Sequence, residues 1–331
     1  MSFRALVIQE GPERTVIKRL ERSDLPRHGN VLVRVDWSSI NYKDALAVTG
    51  KGKIIRSDLP FVPGIDLAGT IVQSDDPSFP EGSSFLSTGW GVGEKTWGGY
   101  SRYQWMNADW LVPLPDGLTT REAMIVGTAG FTAMLSLQAI QEHGLPPGDG
   151  TIVVTGATGG VGSFSVLLLA AAGYHVTAVT GKPEAAEYLR GLGADDILPR
   201  SGFEEGARHP LDSGDWAGCV DSVGSRVLES VLSRTKTHGV VAACGLAGGH
   251  ELNTTVFPFI LRGVRLIGID SNTCPQTPRR KAWQGLRDLA AKVDFDTIAH
   301  EIGLEEVPEA CAQLMSGGIQ GRYVVDLRGA D

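Results

Sequence analysis

Short apolar runs separated by turns dominate the first third of the chain. Residues 5–8 and 67–72 are almost entirely apolar, and apolar and polar residues partly alternate over 31–35. Such runs, bounded by segments rich in proline, glycine and aspartate, are typical of strands. We therefore predict a β-rich region with few helices over about residues 1–120.

The pattern changes near residue 121. A longer helical stretch covers about 122–143, and short β-branched runs then alternate with helical segments as far as about residue 269. This alternation predicts βαβ units and a doubly wound parallel sheet, an α/β fold. The last segments end in a strand over 322–327 and are expected to rejoin the β-rich part. The predicted domains are 1–121 with 273–331, and 122–272.

Composition narrows the class of protein. The 331 residues carry a net charge of -8, from 30 Lys and Arg against 38 Asp and Glu, which disfavours nucleic-acid and anionic membrane partners. The four cysteines, far apart and without a CxxC pair, indicate neither a disulfide framework nor a structural zinc. The first 20 residues resemble no signal peptide, and the longest apolar run, 166–172, is too short to span a membrane. A cytoplasmic protein is expected.

The sharpest motif is IVVTGATGGVG at residues 152–162, in which an apolar strand runs through spaced glycines into a helix. Gly156 permits a tight turn, Gly159 allows the backbone to approach a pyrophosphate, and Gly162 allows close packing of helix and strand. The motif predicts dinucleotide binding by a Rossmann domain. The expected loop contacts are Thr158, Gly159, Gly160 and Val161.

The end of the next strand indicates which dinucleotide is bound. An NAD site has an acidic residue here to hold the ribose 2′-hydroxyl, whereas this strand ends in Thr180, Gly181 and Lys182, with no carboxylate before Glu184. A hydroxyl and an ammonium group suit a 2′-phosphate, so NADPH is favoured. Arg200, after the third strand, is expected to add a second cation.

The order of a β-rich domain, a GATGGVG nucleotide domain and a short carboxyl-terminal return resembles the medium-chain dehydrogenase/reductase superfamily over essentially the whole chain. That resemblance implies a GroES-like fold for the β-rich domain. Asn41, Ile65 and Thr128 stand where zinc-dependent members have metal ligands. Because isoleucine cannot bind a metal, the chain resembles the zinc-free, quinone-oxidoreductase-like branch, and no metal site is expected.

Longer strings, among them WSSINYKDALAVTGKGKIIR at 37–56 and FPFILRGVRLIGIDS at 257–271, are similar to the NADPH-dependent acrylyl-CoA reductases. These enzymes reduce the carbon–carbon double bond of acryloyl-CoA to give propionyl-CoA. The superfamily also implies a homodimer, for which pairing of the sixth strand region, 265–269, is one route. Beyond the residues named above, the resemblance implies NADPH contacts from Tyr42, Leu246, Ile260, Ser271 and Gln320.

Reduction of an enoyl thioester requires a hydride, a donor for the thioester oxygen as negative charge develops there, and a proton for the α-carbon. Without a metal, the donor must be a backbone amide or a polar side chain. Asn41 and the segment 245–249 suit that role by chemistry. Tyr42 is the candidate for substrate orientation or protonation, the alternative being a packing role with a proton from water. Asp66 is expected to be a structural carboxylate rather than a base.

An acyl-CoA substrate predicts a basic rim for its phosphates. The cations proposed for that rim are Lys51, Lys53 and Arg56, then Arg279, Arg280 and Lys281, and lastly Arg322. Two other functions remain open. One is a quinone or enone reductase that uses the same hydride transfer, and the other is a nicotinamide-cofactor-binding protein without turnover.

Overall fold

The chain passes from a first unit to a second and returns in the computed structural model, which describes residues 2–290 and 292–331. The first unit extends to Thr128 and resumes with Ser271–Ala290 and Asp294–Asp331, while the second is formed mainly by Ala129–Asp270. Along the chain, the boundaries between the units therefore fall at 128/129 and 270/271, a few residues from those predicted at 121/122 and 272/273. Those domain limits stay predictions.

Fifteen strands and eight α-helices are found in the described residues. The strands are β1 (Ser2–Ile8), β2 (Thr15–Glu21), β3 (Val31–Ser39), β4 (Asp66–Ser74), β5 (Ser84–Thr88), β6 (Tyr103–Met106), β7 (Val112–Pro113), β8 (Thr151–Thr155), β9 (His175–Thr180), β10 (Asp196–Pro199), β11 (Trp216–Asp221), β12 (Thr235–Ala243), β13 (Arg265–Gly268), β14 (Ala299–Gly303) and β15 (Arg322–Asp326). The helices are α1 (Tyr42–Thr49), α2 (Thr120–Glu142), α3 (Gly160–Ala171), α4 (Ala186–Gly191), α5 (Ser225–Ser233), α6 (Phe257–Arg262), α7 (Gln276–Ala290) and α8 (Val307–Met315).

The first unit is built around a seven-stranded sheet. Its order is β14-β15-β3-β4-β5-β7, with β6 also pairing with β3. The β14 and β15 strands are parallel and the other neighbours are antiparallel. Alternate residues of β3, such as Val33 and Val35, are fully buried in the core with Leu67. The β-rich domain predicted from the sequence is confirmed.

The second unit is a parallel sheet of six strands, ordered β10-β9-β8-β11-β12-β13. Its central strand β8 has the sequence TIVVT and is almost wholly buried, as expected for a strand covered on both faces. Helix α3 packs so closely that a Cβ atom on Gly162 would lie 2.2 Å from the carbonyl oxygen of Gly156. The predicted α/β fold with a Rossmann domain is confirmed.

Helix α2 is long and apolar enough to span a membrane by length and composition, yet 78% of its most apolar window is buried in the structure. Gly127 interrupts it with a φ of 48° and a ψ of -157°, which only glycine adopts readily. A Cβ atom at this position would lie 2.5 Å from Asp66 Oδ2 and 2.6 Å from Arg322 Nη2. The break lets the backbone pass directly beside a buried ion pair.

Candidate active site

The glycine loop follows β8 in the second unit and leads into α3. Gly156 has a φ of 60°, the amide of Gly159 donates to the Gly156 carbonyl over 3.0 Å, and α3 begins at Gly160. The backbone N–H groups at the start of a helix have no partner within that helix and attract anions. Together with the close packing at Gly162, this geometry is a cradle for a pyrophosphate.

Two cationic residues, Lys182 and Arg200, follow strands of the same sheet. Strands β10, β9 and β8 are neighbours and parallel, so their carboxyl ends share one edge of the sheet. Thr180 Oγ1 accepts a hydrogen bond of 3.0 Å from the amide of Lys182. A Cβ atom on Gly181 would lie 3.0 Å from Cζ of Arg200, so the absence of a side chain leaves room for the guanidinium. The arrangement suits a phosphate better than a hydroxyl.

The other predicted cofactor residues fall in both units. In the second unit, Leu246 follows β12, with its Cα 3.3 Å from a Cβ placed on Gly224, whereas Ile260 is on α6 and 68% exposed. In the first unit, Ser271 lies in the segment before α7. Gln320 lies before β15, and its carbonyl oxygen is 3.1 Å from His300 Nε2. Their contacts with NADPH stay predictions.

Tyr42 is the first residue of α1 and 46% exposed. The preceding turn is fixed by Asp44, whose Oδ2 accepts from the amide of Asn41 over 2.9 Å and whose Oδ1 accepts from the amide of Ile65 over 2.9 Å. Asp44 is therefore the third residue of a capping box at the start of α1, and Asn41 is the N-cap residue. The cap holds the helix start in place while the phenol of Tyr42 faces outward.

Asp66 is the centre of a buried network, which we call the Asp66 cluster: Ser39, Asn41, Asp44, Asp66 and Arg322. Its carboxylate is fully buried and accepts from Ser39 Oγ at 2.7 Å and from Asn41 Nδ2 at 2.7 Å. It also accepts from the amide and the hydroxyl of Thr128, at 2.8 and 2.6 Å. A carboxylate with so many donors acts as a structural anchor, in agreement with the structural role expected for it.

Arg322 is only 3% exposed, and its Nη2 lies 3.6 Å from Asp66 Oδ2. It donates to Ser39 Oγ at 2.8 Å, to the Ile40 carbonyl at 2.9 Å and to the Ile125 carbonyl at 3.2 Å. A side chain so enclosed is not part of a solvent-facing rim. The structure therefore does not favour the CoA contact predicted for Arg322, and assigns it to the Asp66 cluster.

The side-chain amide of Asn41 is also fully engaged. Its Nδ2 donates to Asp66 at 2.7 Å and to Asp44 at 3.3 Å, while its Oδ1 accepts from Arg322 Nη1 at 3.0 Å. No N–H of this amide remains for a substrate oxygen. The enolate-donor role predicted for Asn41 is therefore not supported by the geometry, and the residue positions α1 and its Tyr42 instead.

The CoA contact predicted for Arg279 is the third prediction that the structure does not favour. Its side chain is fully buried, and Nη1 donates to both the carbonyl and the hydroxyl of Thr88, at 2.6 and 2.9 Å. Nη2 donates to the carbonyls of Ser271 and Asn272, at 3.1 and 3.3 Å. A guanidinium saturated by backbone carbonyls does not reach a CoA phosphate, because neither its charge nor its donors face solvent.

The zinc that related dehydrogenases hold does not fit the residues at this position. Asn41, Ile65 and Thr128 supply an amide, an aliphatic chain and a hydroxyl, none of which is a usual zinc ligand. The nearest carboxylate, Asp66, already accepts from four donors, and the Arg322 guanidinium lies beside it. Among the described residues, no group of three or more His, Cys, Asp or Glu could hold a metal ion.

The carboxylates of Asp44 and Asp66 are buried in the same cluster, and this changes the pKa of Asp44. Desolvation, followed by the negative charge of Asp66, raises the pKa of Asp44 from 3.8 to about 7. Burial also raises the pKa of Tyr100, whose hydroxyl donates to the Ser39 carbonyl over 3.1 Å. The cluster therefore keeps a proton on Asp44 well above the pH at which an exposed aspartate loses it.

Sequence reasoning missed Ser39, Thr88 and the pairing of Arg322 with Asp66. Ser39 ends β3 immediately before the predicted site, but a serine at a strand end carries no distinct signal. The available hint was Gly127, since a glycine inside a helical pattern often marks a close approach of another group.

Two families of known proteins match the two units. Residues 27–116 match the alcohol dehydrogenase GroES-like domain, and residues 160–292 match the zinc-binding dehydrogenase family. These matches place the chain in the medium-chain dehydrogenase/reductase superfamily.

Similarity to individual proteins extends over nearly the full length. The chain is 51% identical over 317 residues to a probable acrylyl-CoA reductase of Escherichia coli, covering 96% of this chain and 97% of the relative. It is 48% identical to the acrylyl-CoA reductase of Ruegeria pomeroyi, with 98% and 99% coverage. An oxidoreductase from Salmonella enterica, solved in complex with NADP, superimposes with a TM-score of 0.93 at 48% identity, with 98% and 100% coverage. The chain belongs to the acrylyl-CoA reductase family.

The raised pKa of Asp44 predicts a pH-dependent stability. Between about pH 4 and pH 7 the unfolded state has lost this proton and the native state keeps it, so the free energy of unfolding falls as the pH rises. Chemical denaturation at pH 5 and pH 8 should therefore show that wild type loses on the order of 2 kcal/mol more than Asp44→Asn between the two values. Asp58→Asn, at an exposed position, serves as the control and should follow wild type. A wild-type-minus-variant difference that is equal at both pH values would show that native Asp44 is ionised.

Proposed function

We propose that this protein reduces the carbon–carbon double bond of acryloyl-CoA to propionyl-CoA, with NADPH as the hydride donor. The observation that carries the proposal is the edge of the parallel sheet in the second unit, because the strands that precede the glycine loop, Thr180 to Lys182 and Arg200 are neighbours and end there. The identity of about half of all residues to two acrylyl-CoA reductases supports it. Acryloyl-CoA, NADPH and a proton give propionyl-CoA and NADP, so the reaction balances without a further reactant.

The chain's own residues fit the cofactor. Thr158, Gly159, Gly160 and Val161 would line the pyrophosphate. The amides of Gly160 and Val161, at the start of α3, would donate to it, because the Gly159 amide already donates to the Gly156 carbonyl. Thr180, Gly181, Lys182 and Arg200 would enclose the 2′-phosphate, with Leu246, Ile260, Tyr42, Ser271 and Gln320 contacting the remainder. When bound, the nicotinamide supplies the hydride for the β-carbon of the substrate.

The remaining steps fall to side chains and backbone amides of this chain. Because the Asn41 amide is used within the Asp66 cluster, the donor to the thioester oxygen is assigned to backbone N–H groups of the glycine-rich segment 245–249. Within it the N–H groups of Gly245 and Leu246 are the candidates, since those of Ala247, Gly248 and Gly249 donate to backbone carbonyls. Tyr42, fixed at the start of α1 with its phenol exposed, orients the substrate or donates the α-carbon proton. The alternative, a proton from water, leaves Tyr42 with a packing role.

The CoA phosphates are assigned to exposed cations instead of the buried Arg279 and Arg322. Lys51, Lys53 and Arg56 follow α1 and are exposed. The Arg56 amide donates to the Glu94 carbonyl over 2.7 Å, so this segment is fixed to the first unit. Arg280, on the exposed side of α7, is a second candidate.

The first test is the initial rate of NADPH oxidation at 340 nm with acryloyl-CoA, beside a simple quinone, free acrylate and an NADH control. We expect NADPH-selective turnover of acryloyl-CoA, and Tyr42→Phe should lower kcat about ten-fold or more, with little change in NADPH affinity, if the phenol donates the proton. A preference for the quinone would move the protein to quinone or enone reduction. NADPH binding without oxidation of any substrate would indicate a cofactor-binding protein without turnover.

Cofactor selectivity gives a second test. Lys182→Ala removes a cation from the edge where the 2′-phosphate is placed, so the KM for NADPH should rise about ten-fold or more while the KM for NADH hardly changes. The control is Lys236→Ala, an exposed lysine near the opposite, amino-terminal end of β12. Equal losses with NADPH and NADH would mean that Lys182 does not read the 2′-phosphate.

We also propose a cytoplasmic homodimer. The four cysteines are free, which suits a reducing compartment. Strand β13 forms one edge of the six-stranded sheet. Apolar side chains are exposed on α6 and on the residue before it, with Val256 at 61%, Phe257 at 44% and Leu261 at 61%. Pairing of two β13 strands about a two-fold axis would extend the sheet and cover an edge open to aggregation.

Light scattering coupled to gel filtration tests the dimer. Wild type should elute with twice the 35.2 kDa mass of the chain, and Leu261→Glu should shift it towards the single chain because a charge is costly in an apolar interface. Glu251→Gln, an exposed change nearby that adds no charge, should leave the mass unchanged. A wild-type protein of 35.2 kDa alone would contradict the proposal.

A further inference from the structure

A buried carboxylate of the second unit lies at the end of β11. Asp221 is fully enclosed. Its Oδ1 accepts from the Thr155 hydroxyl over 2.6 Å, and its Oδ2 accepts from the Gly224 amide over 2.8 Å. Burial raises the pKa of this carboxyl, and the two hydrogen bonds lessen the rise. A carboxylate is costly to bury unless it has such donors, so the groups that it joins indicate its role.

Thr155 connects Asp221 with the glycine loop. It is the last residue of β8, and Gly156 follows it directly. Its Oγ1 also accepts from the Ser222 amide over 3.2 Å, and its carbonyl accepts from Ser222 Oγ over 3.0 Å. A Cβ atom on Gly156 would lie 2.5 Å from Ser222 Oγ, so the two segments are in direct contact. The start of the glycine loop is therefore fixed to the end of β11.

The turn that follows β11 packs against residues 245–249, the proposed source of the donor to the thioester oxygen. The Gly248 amide donates to the Val223 carbonyl over 2.8 Å. A Cβ atom on Gly245 would lie 2.3 Å from the Ser222 carbonyl oxygen, a distance that only a glycine permits. A displacement of the turn therefore displaces the segment as well.

The two candidate donors, the amides of Gly245 and Leu246, are held from both sides. On one side, the Cys244 amide donates to the Asp221 carbonyl over 2.9 Å. On the other side, the Gly248 amide is bonded to the turn, as described above. Because a peptide unit is planar and only two dihedral angles per residue are free, these flanking bonds restrict the direction of the two N–H groups. That direction depends on the residues around Asp221.

We propose that Asp221 is a positioning residue that holds the Gly245 and Leu246 amides in place relative to the glycine loop. The inference rests on the proposed reduction of acryloyl-CoA. The loop sets the position of the dinucleotide, and the two amides set the position of the thioester oxygen. The carboxylate bonds to both parts and thereby sets how the substrate meets the hydride donor. A misplacement of about 1 Å between such groups can lower a rate about 100-fold.

The experiment breaks the bond between Asp221 and the glycine loop without a change of side-chain shape. Thr155→Val replaces the hydroxyl by a methyl group, whereas Thr155→Ser keeps the hydroxyl. With enzyme in excess over NADPH and with saturating acryloyl-CoA, the single-turnover rate of NADPH oxidation should fall about ten-fold or more in Thr155→Val and stay within about two-fold of wild type in Thr155→Ser. This rate reports only folded enzyme that has bound NADPH, so a loss of stability alone does not lower it.

Asp221→Asn tests the carboxylate itself. The amide oxygen can still accept from Gly224, but the NH2 group then faces Thr155, so the bond to the loop is weakened rather than removed. The single-turnover rate should lie between those of wild type and Thr155→Val. The Kd for NADPH, measured by the fluorescence of the bound nicotinamide, should stay within about three-fold of wild type in each variant, because the pyrophosphate is assigned to the first amides of α3.

Thr235 provides the matched control. It is fully buried, like Thr155, and its hydroxyl donates to the Val231 carbonyl over 2.8 Å. It begins β12, at the end of the parallel sheet opposite to the glycine loop. Thr235→Val removes a hydrogen bond of the same kind and should leave the single-turnover rate unchanged.

The two proposals can fail separately. A wild-type enzyme that does not reduce acryloyl-CoA contradicts the proposed function, and the role of Asp221 falls with it. If wild type reduces acryloyl-CoA, a wild-type single-turnover rate in folded Thr155→Val contradicts the role of Asp221 alone. An effect confined to the Kd for NADPH also contradicts it, because the carboxylate would then act on cofactor binding and not on the approach of the substrate.

Discussion

The burial of the Asp66 carboxylate beside the Arg322 guanidinium is the constraint on which the first unit depends. Two charges removed from water are tolerated only when every polar atom around them is satisfied, and removing one partner of such a pair costs about 3–5 kcal/mol. Here Ser39, Asn41 and Thr128 complete the hydrogen bonding of the pair. One contact therefore fixes the end of β3, the start of β4, the cap of α1, the bend in α2 and the start of β15. Helix α2 is interrupted at Gly127 because its backbone passes directly beside that pair.

Three arginines of this protein differ in their burial and therefore in their roles. Arg200 is exposed at the strand edge, where its Nε donates to Glu204 Oε1 over 2.6 Å, whereas Arg279 and Arg322 are buried and bond to residues distant in the chain. Arg322 holds the turn before α1, which leads to Tyr42, and Arg279 joins the end of β5 to the segment before α7. The second unit has a simpler task, because a glycine loop and a helix start bind a pyrophosphate with backbone atoms alone.

The contrast also explains what the sequence could and could not predict. The glycine loop, the parallel sheet and the NADPH edge are signalled by neighbours along the chain: a β-branched strand, glycines at fixed spacing, and a strand end without a carboxylate. The roles of Asn41, Arg279 and Arg322 depend on residues far away. Arg322 bonds to Ser39 across 283 positions and Arg279 to Thr88 across 191. An arginine that is buried by such contacts looks in sequence like one on the surface, so both were assigned to a rim. The Asn41 amide bonds to Asp66 and Arg322, which are also distant in sequence, so its engagement could not be predicted.

The position of Arg322 in the chain has a consequence for biosynthesis. Asp66 is translated early, whereas its cation comes only after the whole of the second unit has been made. The nascent first unit therefore cannot be completed while the ribosome is still reading residues 129–270, although this stretch, which forms most of the second unit, can begin to fold as soon as it emerges, as domains generally do during synthesis. Until residue 322 arrives, Asp66 has no cation to be buried against and stays hydrated. A product terminated earlier would keep an acidic residue that it could not bury, which would leave the first unit open to chaperones and proteases.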